Sequence, residues 1–293
     1  MMLPHSAQWE NYQTCLSPGL YVTDWAGFYR DGARRTVAMR SRYLHRSNVF
    51  YGDHPAKILN LYYPQHVSGS PPVVVFVHGG GFTEGHPMYY DFLGEEYLAR
   101  GAVFASVGYR LRPDARYPDT SADLAQAIGW LYRELDGVAD VRHLCVAGHS
   151  AGAMLTAQLA FRGDWQEGEG VADNVIDTAV LISGRYDWRG DMSGEYVLPA
   201  QALEASPVCN MSRMPACAIV AFGPQELTRR AGDPTEVARY SQVLIDAVAA
   251  RQGNVISVPV AGANHAETSL AFGDPSSNLF QAVAARTFTA VAD

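Results

Sequence analysis

The strongest constraint on this chain is a repeated alternation of two patterns. Short, almost continuously apolar runs occur at Ile58–Tyr63, Val73–Val77, Val103–Tyr109, Leu144–Ala147, Ala179–Ser183, Ala216–Phe222 and Val255–Val260. Between them lie longer stretches with apolar residues at helical spacing: Tyr89–Arg100, Ser121–Leu135, Ala151–Arg162, Thr235–Arg251 and, at the end, about Ser277–Val291. A strand that is apolar at successive positions must be covered on both faces, and a parallel sheet between helical layers covers it so. The alternation predicts an α/β fold: a mostly parallel, doubly wound sheet with helices on both faces, joined by right-handed crossovers.

Composition agrees with a packed domain. Of 293 residues, 48% are hydrophobic and 18% charged, which supplies a large core and excludes a disordered chain, a coiled coil or a collagen-like rod. The net charge of −8 opposes nucleic acid and anionic membrane, so neither is an expected partner. The longest purely aliphatic and aromatic run, Val73–Val77, falls far short of the ~20 residues that span a bilayer. Residues 1–17 mix His5, Gln8, Glu10 and Gln13 with Trp9 and Tyr12, unlike a secretory signal, so a cytoplasmic location is expected. Cys15, Cys145, Cys209 and Cys217 form no C-x-x-C pair, and Cys145 and Cys217, inside apolar runs, read as buried free thiols.

Two regions interrupt the alternation. Residues 1–48 read as a helical, arginine-rich extension packing on the body, with six arginines between Arg30 and Arg46 opposed only by Asp31. Such a stripe attracts an acidic partner or forms a solvated face, and the second reading is favoured. The remainder, 49–293, reads as one domain. Within it, 184–215 is a long connection bearing Tyr186, Trp188, Tyr196, Pro199 and Pro207, of the kind that forms a short cap or pocket wall.

Two motifs carry chemistry. Gly148-His149-Ser150-Ala151-Gly152 fits G-x-S-x-G, follows an apolar strand and opens a helical run. That is the setting of a nucleophile elbow, whose glycines make room for a strained turn that lifts the serine hydroxyl off the sheet. An ordinary glycine-rich turn with an idle serine is the competing reading. His78-Gly79-Gly80-Gly81-Phe82 also follows an apolar strand. Glycines there let backbone N–H groups approach a developing oxyanion, each worth roughly 3–4 kcal/mol. The donors assigned are Gly80, Gly81 and Ala151. No G-K-[ST] follows, so a phosphate loop is disfavoured.

A serine nucleophile needs a base and an acid. His265, in Ala261-Gly262-Ala263-Asn264-His265, follows the last predicted strand, at the sheet end where open α/β sheets build their sites. His149 is expected to point away from the serine, and His78 to brace the oxyanion loop by hydrogen bonds. Glu226 is the first carboxylate after Ala216–Phe222 and is favoured over Asp233 as the acid. It would fix the tautomer of His265 and stabilise its imidazolium. Phe82, Tyr109, Tyr186 and Trp188 are the candidate aromatic walls for substrate. With no H-E-x-x-H, H-x-H or Cys/His ligand cluster, no metal is expected, and no cofactor.

Together, H-G-G-G-F, G-H-S-A-G and the late G-x-N-H resemble the α/β-hydrolase superfamily over about residues 50–290. Tyr109-Arg110-Leu111, Tyr117-Pro118 and Asp123 are similar to hormone-sensitive-lipase-type esterases. Ser183-Gly184-Arg185-Tyr186-Asp187, Ser206-Pro207 and Gly223-x-x-Glu226 resemble the kynurenine formamidase (arylformamidase) branch and its small-ester esterase relatives. The formamidases carry a bulkier H-G-G-Y/F-W loop and more often Asp as the acid.

The resemblance implies an α/β-hydrolase fold and a serine hydrolase acting through an acyl-enzyme. Arylformamidase action on N-formylkynurenine or a related N-acyl aryl amide leads. Carboxylesterase action on small aryl or acyl esters, or a specialised amidase, is the alternative, and a non-catalytic binding protein is a remote third. A small-molecule substrate and a monomer or homodimer are expected.

Overall fold

The computed structural model describes residues 24–67, 69–226 and 233–289. Cys15, the start of the N-terminal extension and the last residues of the final predicted helix lie outside them. One eight-stranded sheet runs in the order β1-β2-β4-β3-β5-β6-β7-β8. Its strands are β1 His45–Phe50, β2 Ile58–Tyr62, β3 Pro72–Val77, β4 Val103–Val107, β5 Asp140–His149, β6 Ile176–Ile182, β7 Cys217–Phe222 and β8 Val255–Pro259. β2 is antiparallel to both its neighbours, and the pairings from β4 through β8 are parallel.

Alternation within each strand divides two cores. Val73, Val75 and Val77 of β3 face one, with Leu124 and Ile128 of the crossover helix Asp119–Glu134 on that side. Val74 and Phe76 face the other, with Tyr29, Leu279 and Phe280. The longer helices are α1 Trp25–Arg40, α2 Asp119–Glu134, α3 Ala151–Ala160, α4 Glu236–Ala249 and α5 Asn278–Thr289. α2, α3 and α4 cover the first face, and α1 and α5 the second. Each fully buried valine or phenylalanine contributes about 1.5–3 kcal/mol. Among the described residues, no helix is long and apolar enough to cross a membrane.

β3 lies between β4 and β5, so the chain leaves it toward one edge and returns to its other side. At such a reversal the loops after neighbouring strands diverge and open a crevice at their carboxyl ends. The loop after β3 carries His78–Phe82 and the turn after β5 carries Gly148–Gly152.

Two elements differ from expectation. The expected helix Tyr89–Arg100 is broken into a 3-10 turn Asp91–Gly94 and a short helix Glu95–Ala99. There the Asp91 carboxylate turns inward to accept from Tyr62, Asn60 and Arg40. The strand β1 lies across the expected 48/49 boundary, on a stretch read as helical. It is a half-exposed edge strand, bulged between Arg46 and Val49, and the Asn48 N–H donates to Asn60 Oδ1 at 2.7 Å. The arginines of this region meet carboxylates of the same chain: Arg40 with Asp91, Arg42 with Glu95 and Arg46 with Glu134. Cys145 and Cys217 are buried free thiols.

Candidate active site

Ser150 sits between β5 and α3 with φ 54° and ψ −114°, a conformation that L-residues rarely adopt. Space dictates the flanking glycines. A Cβ on Gly148 would lie 2.2 Å from the Gly152 carbonyl oxygen, and one on Gly152 would lie 2.1 Å from that of Val77. The Ser150 N–H is held by the Ile182 carbonyl at 2.8 Å. The turn therefore presents the hydroxyl at the amino end of α3, where the Ala151 N–H has no intrahelical partner.

His265 comes from the loop after β8, and its Nε2 is 2.9 Å from Ser150 Oγ. Its Nδ1 faces Glu226 Oε1 at 3.6 Å, an ion-pair distance slightly beyond a hydrogen bond. Glu226 is fully buried after β7. Its Oε2 is oriented by the Gly223 N–H at 3.3 Å and the Ser183 hydroxyl at 3.1 Å. Asp233, the competing acid, instead accepts from Thr235 and Arg239 in an exposed cluster.

The loop after β3 curls beside Ser150. Gly80 has φ 120° and Gly81 φ 59°, both favouring glycine, and a Cβ on Gly80 would lie 2.0 Å from the Glu84 carbonyl oxygen. Among the described residues, no hydrogen bond within the chain occupies the N–H of Gly80, Gly81 or Ala151. His78 braces this loop as expected. Its Nδ1–H donates to the Gly79 carbonyl at 2.7 Å, and burial pushes the imidazole down to about 4, so it is neutral.

A cleft of about 760 Å³ opens above Ser150. Phe82 and Trp188 line it, with Met154, Tyr240 and Trp25 of α1. Arg185 also lines it, stacked over the Trp188 and Tyr240 rings and paired with Asp191 at 2.9 Å. Tyr109 and Tyr186 do not line the cleft, a correction to the expected aromatic walls. Tyr109 is buried behind the glycine loop after β3, where its hydroxyl donates to the His78 carbonyl at 3.0 Å. Tyr186 is buried beneath Gly184, whose N–H donates to its hydroxyl. Aromatic character near a motif does not tell which way a ring points.

Sequence reasoning missed three residues. The His149 ring makes no hydrogen bond to the serine hydroxyl, but its Nε2 donates to the main-chain oxygen of His265, a partner that was not foreseen. Ser183 and Thr268 link that loop to Glu226. Only His149 carried a sequence signal, as a polar residue ending a buried strand, where its ring nitrogens need partners.

A family model described as the alpha/beta hydrolase fold matches residues 74–249, more than half of the chain. This chain belongs to the alpha/beta hydrolase family. The chain is 28% identical to Esterase LipC of Mycobacterium tuberculosis over 84% of its own length and 66% of the relative's. It is 29% identical to an isoprenylcysteine alpha-carbonyl methylesterase ICME of Arabidopsis thaliana over 50% of its length and 32% of that protein's. It thus spans less than two thirds of the length of these relatives. Among solved structures, Esterase B of Lactobacillus rhamnosis superposes with a TM-score of 0.68 at 19% identity, covering 91% of this chain and 93% of that one. At that identity the likeness speaks for the fold.

Proposed function

We propose that the protein is a serine carboxylesterase acting on small esters through an acyl-enzyme. The observation that carries this reading is the approach of His265 Nε2 to Ser150 Oγ, 2.9 Å, on a strained elbow at the floor of an open cleft. Ser150 Oγ attacks the ester carbonyl carbon while its proton passes to His265 Nε2. The carbonyl oxygen becomes an oxyanion held by the N–H groups of Gly80, Gly81 and Ala151. His265, its imidazolium facing the Glu226 carboxylate, returns the proton to the leaving alcohol as the ester bond breaks. Water then attacks the acyl-serine, with His265 again taking and returning the proton, and releases the acid.

The whole cleft, about 760 Å³, admits a substrate with a sizeable acyl or alcohol part. The esterase names among the relatives lend further support. Arylformamidase is the second reading. It rests on the resemblance of Ser183–Asp187 to that branch and on Phe82 and Trp188 as flat walls for an aryl group.

One assay separates them: kcat/KM for p-nitrophenyl butyrate and for N-formylkynurenine, with Ser150→Ala as the blank. The esterase reading expects the ester to exceed the formamide by at least about 10²-fold, with the blank at least about 10⁴-fold below wild type. A formamide kcat/KM above ~10⁴ M⁻¹s⁻¹ that exceeds the ester value would establish the second reading. Binding without turnover in wild type would mark a non-catalytic protein.

A further inference from the structure

Two donors converge on the main-chain oxygen of His265. His149 Nε2 lies 2.7 Å from it and the Thr268 hydroxyl 2.9 Å. A carbonyl oxygen only accepts, so His149 carries its proton on Nε2. The ring is buried, and burial followed by the neighbouring His265 holds its pKa well below the ordinary histidine value, so it stays neutral. Its Nδ1 is left as a bare acceptor facing the oxyanion loop, where a Cβ on Gly79 would lie 2.8 Å from it. One ring therefore touches the base loop on one side and the oxyanion loop on the other. It is also covalently next to Ser150.

This placement matters because His265 is borne on a loop. Between β8 and the short helix Glu267–Leu270 the backbone turns through Gly262 at φ 76°, and local Asn264 bonds cap the helix without reaching Ser150. A base on a loop needs outside support to stay in productive geometry. On the serine-hydrolase reading, we propose that His149 is a positioning residue: it ties the His265 loop to the nucleophile elbow and so sets the Nε2–Oγ approach. The shortest route from Ser150 to the base backbone runs through the adjacent residue and one hydrogen bond. The link recurs through Thr268, whose hydroxyl meets that of Ser183, and Ser183 in turn meets Glu226. Base and acid thus share one support.

The test compares His149→Gln, whose amide N–H takes the place of Nε2–H, with His149→Asn, whose amide is too short to reach the carbonyl. His149→Leu serves as the apolar control. Steady-state kinetics on p-nitrophenyl butyrate are measured beside the rate at which a fluorophosphonate labels the serine, which reads nucleophile reactivity without ester binding. His149→Asn and His149→Leu are expected to lose about 10–100-fold in kcat and in labelling rate, with KM changed by less than about threefold. His149→Gln is expected to recover at least about tenfold of that loss. If His149→Leu does not fold, the Gln and Asn pair decides alone. Equal rates for Gln and Asn, or a loss confined to KM, would overturn the inference. A wild type that neither turns over nor labels would instead overturn the serine-hydrolase reading beneath it.

Discussion

At the residue scale, the proposed reactivity rests on holding ordinary groups in costly places. Ser150 keeps φ 54° because the β5–α3 turn leaves it no alternative, and such strain costs about 1–3 kcal/mol. Glu226 is buried where two donors orient one oxygen and leave the other to face His265. Glu226→Gln keeps the shape and removes the charge that balances the imidazolium. Its kcat/KM is expected to fall by about 10²–10⁴-fold, whereas Asp233→Asn stays within about twofold of wild type. Equal losses in the two variants, measured on one ester, would return the acid's role to an open competition. That Glu226 lies nearer the base was legible as the first carboxylate after a strand. The work of His149 was not, because its partner is 116 positions away and no spacing rule relates them.

At the element scale, the glycine loop after β3, the proposed oxyanion loop, stands on a neutral histidine. Burial pushes His78 from 6.5 down to about 4. An unfolded chain takes up this proton first as pH falls, so the stability is complete above pH 6.5 and is lost progressively toward pH 4, by about 3 kcal/mol. Thermal melts from pH 7 to pH 4 should show a shallower decline for His78→Gln than for wild type. Parallel declines would show that His78 titrates normally. The elements themselves were legible wherever both faces are buried, as in β3 and β7, since only a covered strand is apolar throughout. β1 was hidden because a half-exposed edge strand, His-Arg-Ser-Asn-Val-Phe, has no apolar run to announce it. Tyr89–Arg100 misled because its spacing is helical, yet Gly94 is pressed on Phe104, where a Cβ would meet the ring at 2.3 Å.

At the scale of the whole molecule, the N-terminal helix α1 is joined to the sheet and reaches the cleft. Arg40 near its end pairs with buried Asp91, which also gathers Asn60 and Tyr62 of β2, while Trp25 at its start lines the cleft. Asp91→Ala would strand those buried donors and is expected to cost about 3–5 kcal/mol, read as a lowered urea midpoint. A loss under about 1 kcal/mol would mean that the cluster is incidental to stability. The proposed function requires that this assembly make Ser150 a nucleophile. The direct measurement is peptide mass mapping after reaction with a fluorophosphonate. One adduct is expected, on the peptide containing Ser150, and none in Ser150→Ala. An unlabelled wild type, or a label that persists in Ser150→Ala, would contradict it.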